Sequence, residues 1–205
     1  MTQALTKKVT FDEFIAWYPE KSENRYELHN GVIVEMPKPR GKHSEIAGFI
    51  TLEIGIHCRL KELPYFIPKE LILKPFRDES GYEPDVIVLD KQKVEKEPLW
   101  ATSSVISMGS SVRLIVEIAS TNWRDDYALK AADYEEMAIA EYWIIDYLGL
   151  GGRRFIGSEK LPTLSVYQLV DGEYEVSQFR GSETVISGVF PELNLTAEQI
   201  FGASL

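Results

Sequence analysis

Apolar and polar positions alternate with changing period along the chain, and each change of period predicts an element. TFDEFIAWYP (10–19) reads as a short helix, with Thr10 as N-cap, Glu13 as the capping-box acid and Pro19 past its end. RYELHNGVIVEM (25–36) holds two alternating runs around Asn30-Gly31, a dipeptide that accepts positive φ at both central turn positions, and so predicts a β-hairpin. The Pro/Gly-rich stretch 37–43 predicts a loop. Residues 44–61 follow a helical pattern in which Ile46, Phe49, Ile50, Ile54, Ile56 and Leu60 cover more than half the circumference, which predicts a buried helix.

The middle of the chain reads as sheet. Residues 66–75 and 84–89 are strand-like, and 113–119 (RLIVEIA) is an apolar run interrupted by one carboxylate. A second helix is expected over about 124–137, with Tyr127, Ala131, Tyr134 and Ala138 as its apolar stripe and Asp126, Lys130 and Asp133 on another face. EYWIIDY (141–147) returns as a strand, giving a βαβ pattern that puts parallel strands at the sheet centre. Beyond GLGG (149–152), strands 164–170 and 174–179 flank an Asp171-Gly172 turn, and a short helix starts near Thr196. No repeat or long linker divides the chain, so residues 1–205 are expected to form one α/β domain.

Composition narrows the class. With 44% apolar and 26% charged residues and 23 aromatics (9 Phe, 10 Tyr, 4 Trp), the chain can build a core without metal or disulfide staples and is not intrinsically disordered. No apolar stretch approaches the roughly 18 residues of a membrane span, and MTQALTKKVTFDEF lacks the apolar core of a signal peptide. The single cysteine, Cys58, rules out an internal disulfide and a CxxC zinc site; it reads as a small buried hydrophobe. A reducing, cytoplasmic location is the default expectation.

The net charge of −10 argues against binding nucleic acid by bulk electrostatics, but the charge is unevenly spread. PKPRGKH (37–43) carries three bases, a histidine and no acid, whereas residues 113–146 carry eight acids against three bases. An acidic cluster among apolar strands is what a cation site requires, and a bound divalent ion would reverse the local field.

Two acids lie where carboxylates are least expected. Asp85 follows Pro84 at the start of a Val-Ile-Val-Leu strand, and Glu117 stands between Val116 and Ile118. Such positions cost several kcal/mol unless compensated. Adjacent strands would bring the two together, and a hard divalent cation, Mg²⁺ or Mn²⁺, would compensate both. Lys130 lies 13 residues after Glu117, on the following helix. Each residue also has a plain structural role open to it. Asp85 reads as a turn residue after proline, and Glu117 as an ion-pair partner of Arg113 or Arg124. Lys130, four residues after Asp126, has the spacing of a surface helix pair worth about 0.2–0.5 kcal/mol. His43 reads as a solvated or capping residue, the three histidines form no HExxH spacing, and Tyr134 and Trp143 read as core.

The order along the chain says more than any one residue. EPDVIVLD, then RLIVEIAS, then an Asp-x3-Lys-x3-Tyr helix and EYWIID, resembles the Uma2 family of bacterial endonuclease-like proteins, part of the PD-(D/E)xK restriction-endonuclease-like superfamily. The matching residues are Pro84-Asp85, Glu117, Ser120, Asp126, Lys130, Tyr134 and Glu141-Tyr142-Trp143; RYELHNGVIVEM resembles the family's hairpin, with Glu27 at its acidic position, and His43 falls where the family often has a histidine. The resemblance covers about residues 11–147, with the C-terminal hairpin as its continuation. One departure from the superfamily stands out: the lysine usually found two positions after the glutamate is here Ala119, as in the Uma2 family, with Lys130 on the next helix instead.

The resemblance implies a mixed central β-sheet flanked by helices, with added hairpins. It implies a metal-dependent endonuclease in which Asp85, Glu117 and the main-chain carbonyl of Ile118 bind Mg²⁺ or Mn²⁺. Lys130 would act electrostatically, Glu27 would be a further acid, and Ser120, Asp126 and Tyr134 would support the site. Lys38, Arg40, Lys42 and His43 are the expected contacts to nucleic acid, DNA first among them, with Lys91, Lys93 and Lys96 as further phosphate-holding candidates. A homodimer follows by resemblance. The other reading open to the sequence is a catalytically silent nucleic-acid or protein interaction module that keeps the fold, favoured by the net charge and the absence of a base-reading motif.

Overall fold

The computed structural model describes residues 8–19, 24–76 and 79–204. Helix α1 (Phe11–Trp17) begins with the expected capping box: the Thr10 hydroxyl accepts from the Glu13 amide, and the Glu13 carboxylate accepts from that of Thr10. Strands β1 (Arg25–His29) and β2 (Val32–Met36) form the hairpin, with Asn30 and Gly31 at φ +50° and +83°. Helix α2 (Gly41–Leu60) starts three residues before the predicted position, with Pro39 just outside it and Arg40 as its N-cap, and its first turn captures Lys42 and His43. Its stripe of Ile46, Ile50, Ile54 and Cys58 is buried.

The strand expected over 66–75 divides in two. β3 (Tyr65–Phe66) joins the edge of the main sheet, and β4 (Ile72–Leu73) belongs to a separate two-stranded sheet. Between them, Pro68 has no N–H for a ladder, and Lys69 and Glu70 are exposed. β5 (Val86–Asp90) is followed by short helical turns α3 (Lys91–Val94) and α4 (Trp100–Ser103), and β6 (Val105–Ile106) pairs parallel with β4. β7 (Val112–Ile118) leads to a π-helical stretch (Asp125–Lys130) that runs into α5 (Ala131–Glu136). A single helix was expected there; the wider π turn at its start re-aims the side chains of that segment. Ala138, expected on its stripe, lies beyond the helix at φ +55°. β8 (Glu141–Asp146), α6 (Arg153–Ile156), β9 (Thr163–Val170), β10 (Glu173–Phe179) and α7 (Ala197–Gly202) complete the order.

The main sheet runs β10-β9-β8-β7-β5-β3, mixed, with β7–β8 its parallel pair as the βαβ pattern requires. Strand parity sorts the side chains. Val86, Val88, Val116, Ile118, Trp143 and Ile145 pack against α2 and α7, whereas Ile87, Leu89, Ile115, Ala119, Tyr142 and Ile144 pack against α5. Glu117 therefore falls on the α5 face. The β5–β7 register pairs Val86 with Val116, so one residue further Asp85 lies opposite Glu117. Among the described residues, no helix is long and apolar enough to cross a membrane.

Candidate active site

Three separate elements converge on the end of β5 and β7 where Asp85 and Glu117 lie. The first is the hairpin. Leu28 exchanges backbone hydrogen bonds of 2.8 Å with Gly81 in both directions, docking β1 beside the segment that enters β5. Gly81 is needed there, because a Cβ would stand 2.9 Å from the Phe11 ring and 3.1 Å from Ile72. Period-2 alternation then puts Arg25, Glu27 and His29 on one face of β1. Glu27 is fully buried; its Oε1 accepts from Lys130 Nζ and the Glu83 amide at 3.0 Å each, and its Oε2 lies 2.8 Å from His29 Nε2.

The second element is the π-helical segment with α5. Lys130 is 2% exposed, with its Nζ 3.0 Å from Glu27 Oε1, 3.0 Å from Glu117 Oε1 and 3.7 Å from Asp126 Oδ1. The surface pair with Asp126 that the spacing suggested is thus replaced by a buried ammonium among three carboxylates. Asp126 and Asp133 are buried with it, because the polar face of this segment packs onto Tyr82 and the hairpin rather than facing water. Tyr134, fully buried as core, also donates from its hydroxyl to Glu117 Oε1 at 3.1 Å. Trp143 is core as read, its indole N–H held by Glu141.

The third is the N-terminal turn of α2. His43 is neither in a loop nor solvated: its Nε2 lies 3.1 Å from Asp85 Oδ2, which also accepts from the Ile118 amide at 2.9 Å. Together these groups line a cleft of about 190 Å³, with residues 37–40, residues 120–122, Leu148 and Leu150 completing its walls. Of the residues picked from the sequence, Glu27, Asp85, Glu117, Ile118, Ser120, Asp126, Lys130, Lys38, Arg40 and His43 line this cleft, and Tyr134 supports Glu117 from behind. Lys42 does not line it; its ammonium donates to the Gly202 carbonyl at 2.7 Å and pairs with Glu45. Lys91, Lys93 and Lys96 do not either. They follow β5, at the end opposite Asp85.

The electrostatics follow from the packing. Burial alone would push Glu27 up, but Lys130 and the hydrogen bonds from His29 and Glu83 hold it down at about 2. Burial pushes Glu117 up to about 7; Lys130 pulls it back, while Asp85 and Glu27 add to the rise. Asp126 is likewise raised by burial, against the pull of Lys130 and with repulsion from Glu117 and Asp85. Burial would raise Asp85 too, but His43, the Ile118 amide and Arg25 keep it low. Burial opposes the charge on Lys130, and its three carboxylates more than restore it. Buried carboxyl groups repel one another across this cleft, and Glu117 and Asp126 carry the consequence.

Among the described residues, no group of three or more His, Cys, Asp or Glu side chains is arranged to hold a metal. A hard cation that keeps several waters needs only one or two carboxylates. Asp85 and Glu117 suit that role: Asp85 Oδ1 has only a 3.5 Å contact to Arg25, and Glu117 Oε2 has no hydrogen bond from the described residues. The sequence reading passed over Arg25, Glu83 and His29. The period-2 spacing from Glu27 marked the first and last, and Glu83 directly precedes Pro84-Asp85.

A mixed sheet with opposed acids at one end of two adjacent strands, flanked by helices on both faces, defines a mixed α/β fold with a carboxylate-lined cleft. The chain matches the Uma2 family profile, described as "Putative restriction endonuclease", over residues 11–198, and it belongs to that family. The crystal structure of a putative nuclease belonging to DUF820 from Anabaena variabilis ATCC 29413 shares the fold at TM-score 0.73 and 20% identity, covering 96% of this chain and 99% of that one. No curated protein matches the chain.

Proposed function

We propose that the cleft hydrolyses nucleic-acid phosphodiester bonds with a divalent cation held by Asp85, Glu117 and the Ile118 main-chain carbonyl. The observation that supports this most is the convergence of Asp85, Glu117 and Lys130, distant in sequence, on one cleft in which burial and the neighbouring carboxylates push Glu117 up to about 7. When bound, Mg²⁺ or Mn²⁺ supplies a polarised phosphoryl oxygen and an acidified water.

The chain's own residues set the stage for this. His43 and the Ile118 amide fix the Asp85 carboxylate. Lys130 and Tyr134 fix Glu117 through Oε1 and leave Oε2 without a hydrogen bond from the described residues. Lys130 stands where the superfamily's strand lysine is replaced by Ala119, returning an ammonium to the same carboxylate from the next helix. Its fixed charge offsets negative charge developing on the phosphoryl group. Glu27, ionised and buried behind Lys130, anchors that ammonium. Lys38 and Arg40 on the exposed loop hold flanking phosphates.

A silent binding module would carry the cost of this buried charge cluster with no return from it. A cleavage screen over duplex, single-stranded and branched DNA and over RNA, with Mg²⁺ and Mn²⁺, decides the matter. Cleavage lost in a folded Glu117→Gln variant supports the proposal; no cleavage of any substrate by the unaltered protein refutes it. A homodimer, placing two clefts on two strands, is the assembly carried from the family resemblance, and light scattering reads it directly.

A further inference from the structure

Among the cations that line the cleft, Lys130 is already committed to three carboxylates, and Lys38 and Arg40 ride on an exposed loop. Arg25 differs from all of them. It projects from β1 beside Glu27, lines the cleft and is 31% exposed. Its guanidinium is pinned on one edge by a single residue: Nε lies 2.9 Å from Glu83 Oε1, and Nη2 donates to the Glu83 carbonyl at 2.6 Å. Glu83 is fixed in turn, since its amide donates to Glu27 Oε1 and its Oε2 accepts from the Tyr18 hydroxyl at 3.3 Å. The other edge is nearly free. Its one contact, Nη1 to Asp85 Oδ1, is 3.5 Å, at the outer limit of a hydrogen bond.

We propose that Arg25 forms a phosphodiester-binding subsite beside Asp85, its open Nη1–Nη2 edge gripping two oxygens of one phosphate. A planar fork with one edge already immobilised loses little further entropy on binding, and paired N–H donors match phosphate geometry in a way an ammonium cannot. The position suits the task, because the grip lies next to one of the two carboxylates assigned to the cation. This inference rests on the nuclease reading, and the sequence pattern alone does not carry it: an arginine at a strand start is ordinary until Glu83 is seen to orient it.

The test measures binding as well as cleavage. Fluorescence anisotropy with a labelled single-stranded oligonucleotide and its duplex is recorded across a salt series with Mg²⁺, in a Glu117→Gln background so that the probe survives. Arg25→Lys keeps the charge and loses the fork; it should weaken binding of the better probe by about tenfold or more while leaving the salt slope nearly unchanged. Arg25→Gln should weaken binding further and flatten the salt slope by about one ion. Because Arg25→Gln strands the buried Glu83 carboxylate, the pair Arg25→Gln/Glu83→Gln is measured alongside as a charge-balanced variant whose fold is checked by thermal melting. In the Glu117-intact protein, the same changes should lower kcat/KM by about 10²–10³-fold. A folded Arg25→Gln/Glu83→Gln protein that binds and cuts like the parent overturns the subsite and leaves the nuclease reading standing. Arg25-dependent binding in a protein that cuts nothing supports the subsite and removes the nuclease reading. Absence of both binding and cleavage in the parent overturns both.

Discussion

Replacing Lys130 by Met separates a buried organiser from a surface ion pair by a wide margin. The ammonium is 2% exposed and lies within 3.0 Å of both Glu27 and Glu117. Methionine fills most of the stem's volume but leaves three buried carboxyl groups without a counter-charge. Breaking a buried pair by deleting one partner typically costs about 3–5 kcal/mol, against about 0.3–0.5 kcal/mol for an exposed i,i+4 pair. Glu27 gives an independent scale: a carboxyl held at about 2 rather than near its ordinary 4.5 contributes roughly 3 kcal/mol of stability. That contribution is complete above the unfolded value and is lost as pH falls through about 2. In Lys130→Met the largest cause of that depression is removed and only the contacts from His29 and the Glu83 amide still oppose burial, so the carboxyls take up protons on mild acidification. Denaturant unfolding should therefore show a loss of about 3–5 kcal/mol near neutral pH and a clearly smaller loss near pH 5. Adding Glu117→Gln to Lys130→Met should recover part of the loss, a non-additivity that residues in one network show. A loss below about 1 kcal/mol at both pH values would refute the buried-cluster account.

Mg²⁺ should raise the melting temperature by binding the native state, and Glu117→Gln should remove most of that increment; equal shifts in both proteins would place the ion elsewhere. Without metal, the raised Glu117 pKa favours the folded state at low pH, and that advantage is lost as pH rises through about 7, so the Mg²⁺ increment should be larger above that value than below it by differential scanning fluorimetry. Tyr134→Phe removes a buried donor from Glu117 Oε1 and should cost about 1–2 kcal/mol in urea unfolding while pushing the Glu117 titration higher. Glu141→Gln should cost about 2–3 kcal/mol by loosening the hydrogen bonds it accepts from Ser187 and the Gly188 and Val189 amides, yet leave cleavage intact, since Glu141 lies away from the cleft.

Local chemistry made much of the fold legible. The Thr10 and Thr196 caps, the Asn30-Gly31 and Asp171-Gly172 turns and the β7–α5–β8 crossover each depend on a few neighbouring residues, and each is where the pattern put it. The 66–75 segment escaped because its division depends on a partner. Apolar residues lie on both sides of Pro68-Lys69-Glu70, and only the pairing of β4 with β6, more than thirty residues away, shows that the chain leaves the main sheet there. The start of α2 escaped because Gly41, Lys42 and His43 favour loop when read alone, whereas the tertiary contact from His43 to Asp85 lies outside any local window.

The site was legible in its acids and illegible in its cations, and the asymmetry has a physical cause. A carboxylate inside an apolar strand declares itself, because burial without compensation is costly whatever lies nearby. A lysine four residues after an aspartate on a helix declares nothing, since that spacing is ordinary on any solvated face. What decides the case of Lys130 is which surface covers the helix, and the covering strand β1 lies about a hundred residues earlier in the chain. Arg25 was hidden in the same way: its orientation comes from Glu83, and Glu83 reaches it only because Leu28 and Gly81 dock the hairpin against that segment. The acids mark where a charge must be answered; the hairpin determines which cations answer it. Removing the Leu28–Gly81 docking should therefore affect Lys130 and Arg25 together, although neither touches Gly81. Gly81→Val, with a branched side chain forced against Phe11 and Ile72, should lower stability and weaken the Mg²⁺-induced melting increment in one step, with every cleft residue left unmutated. An unchanged increment in a destabilised Gly81→Val protein would show that the acidic pair assembles without the hairpin.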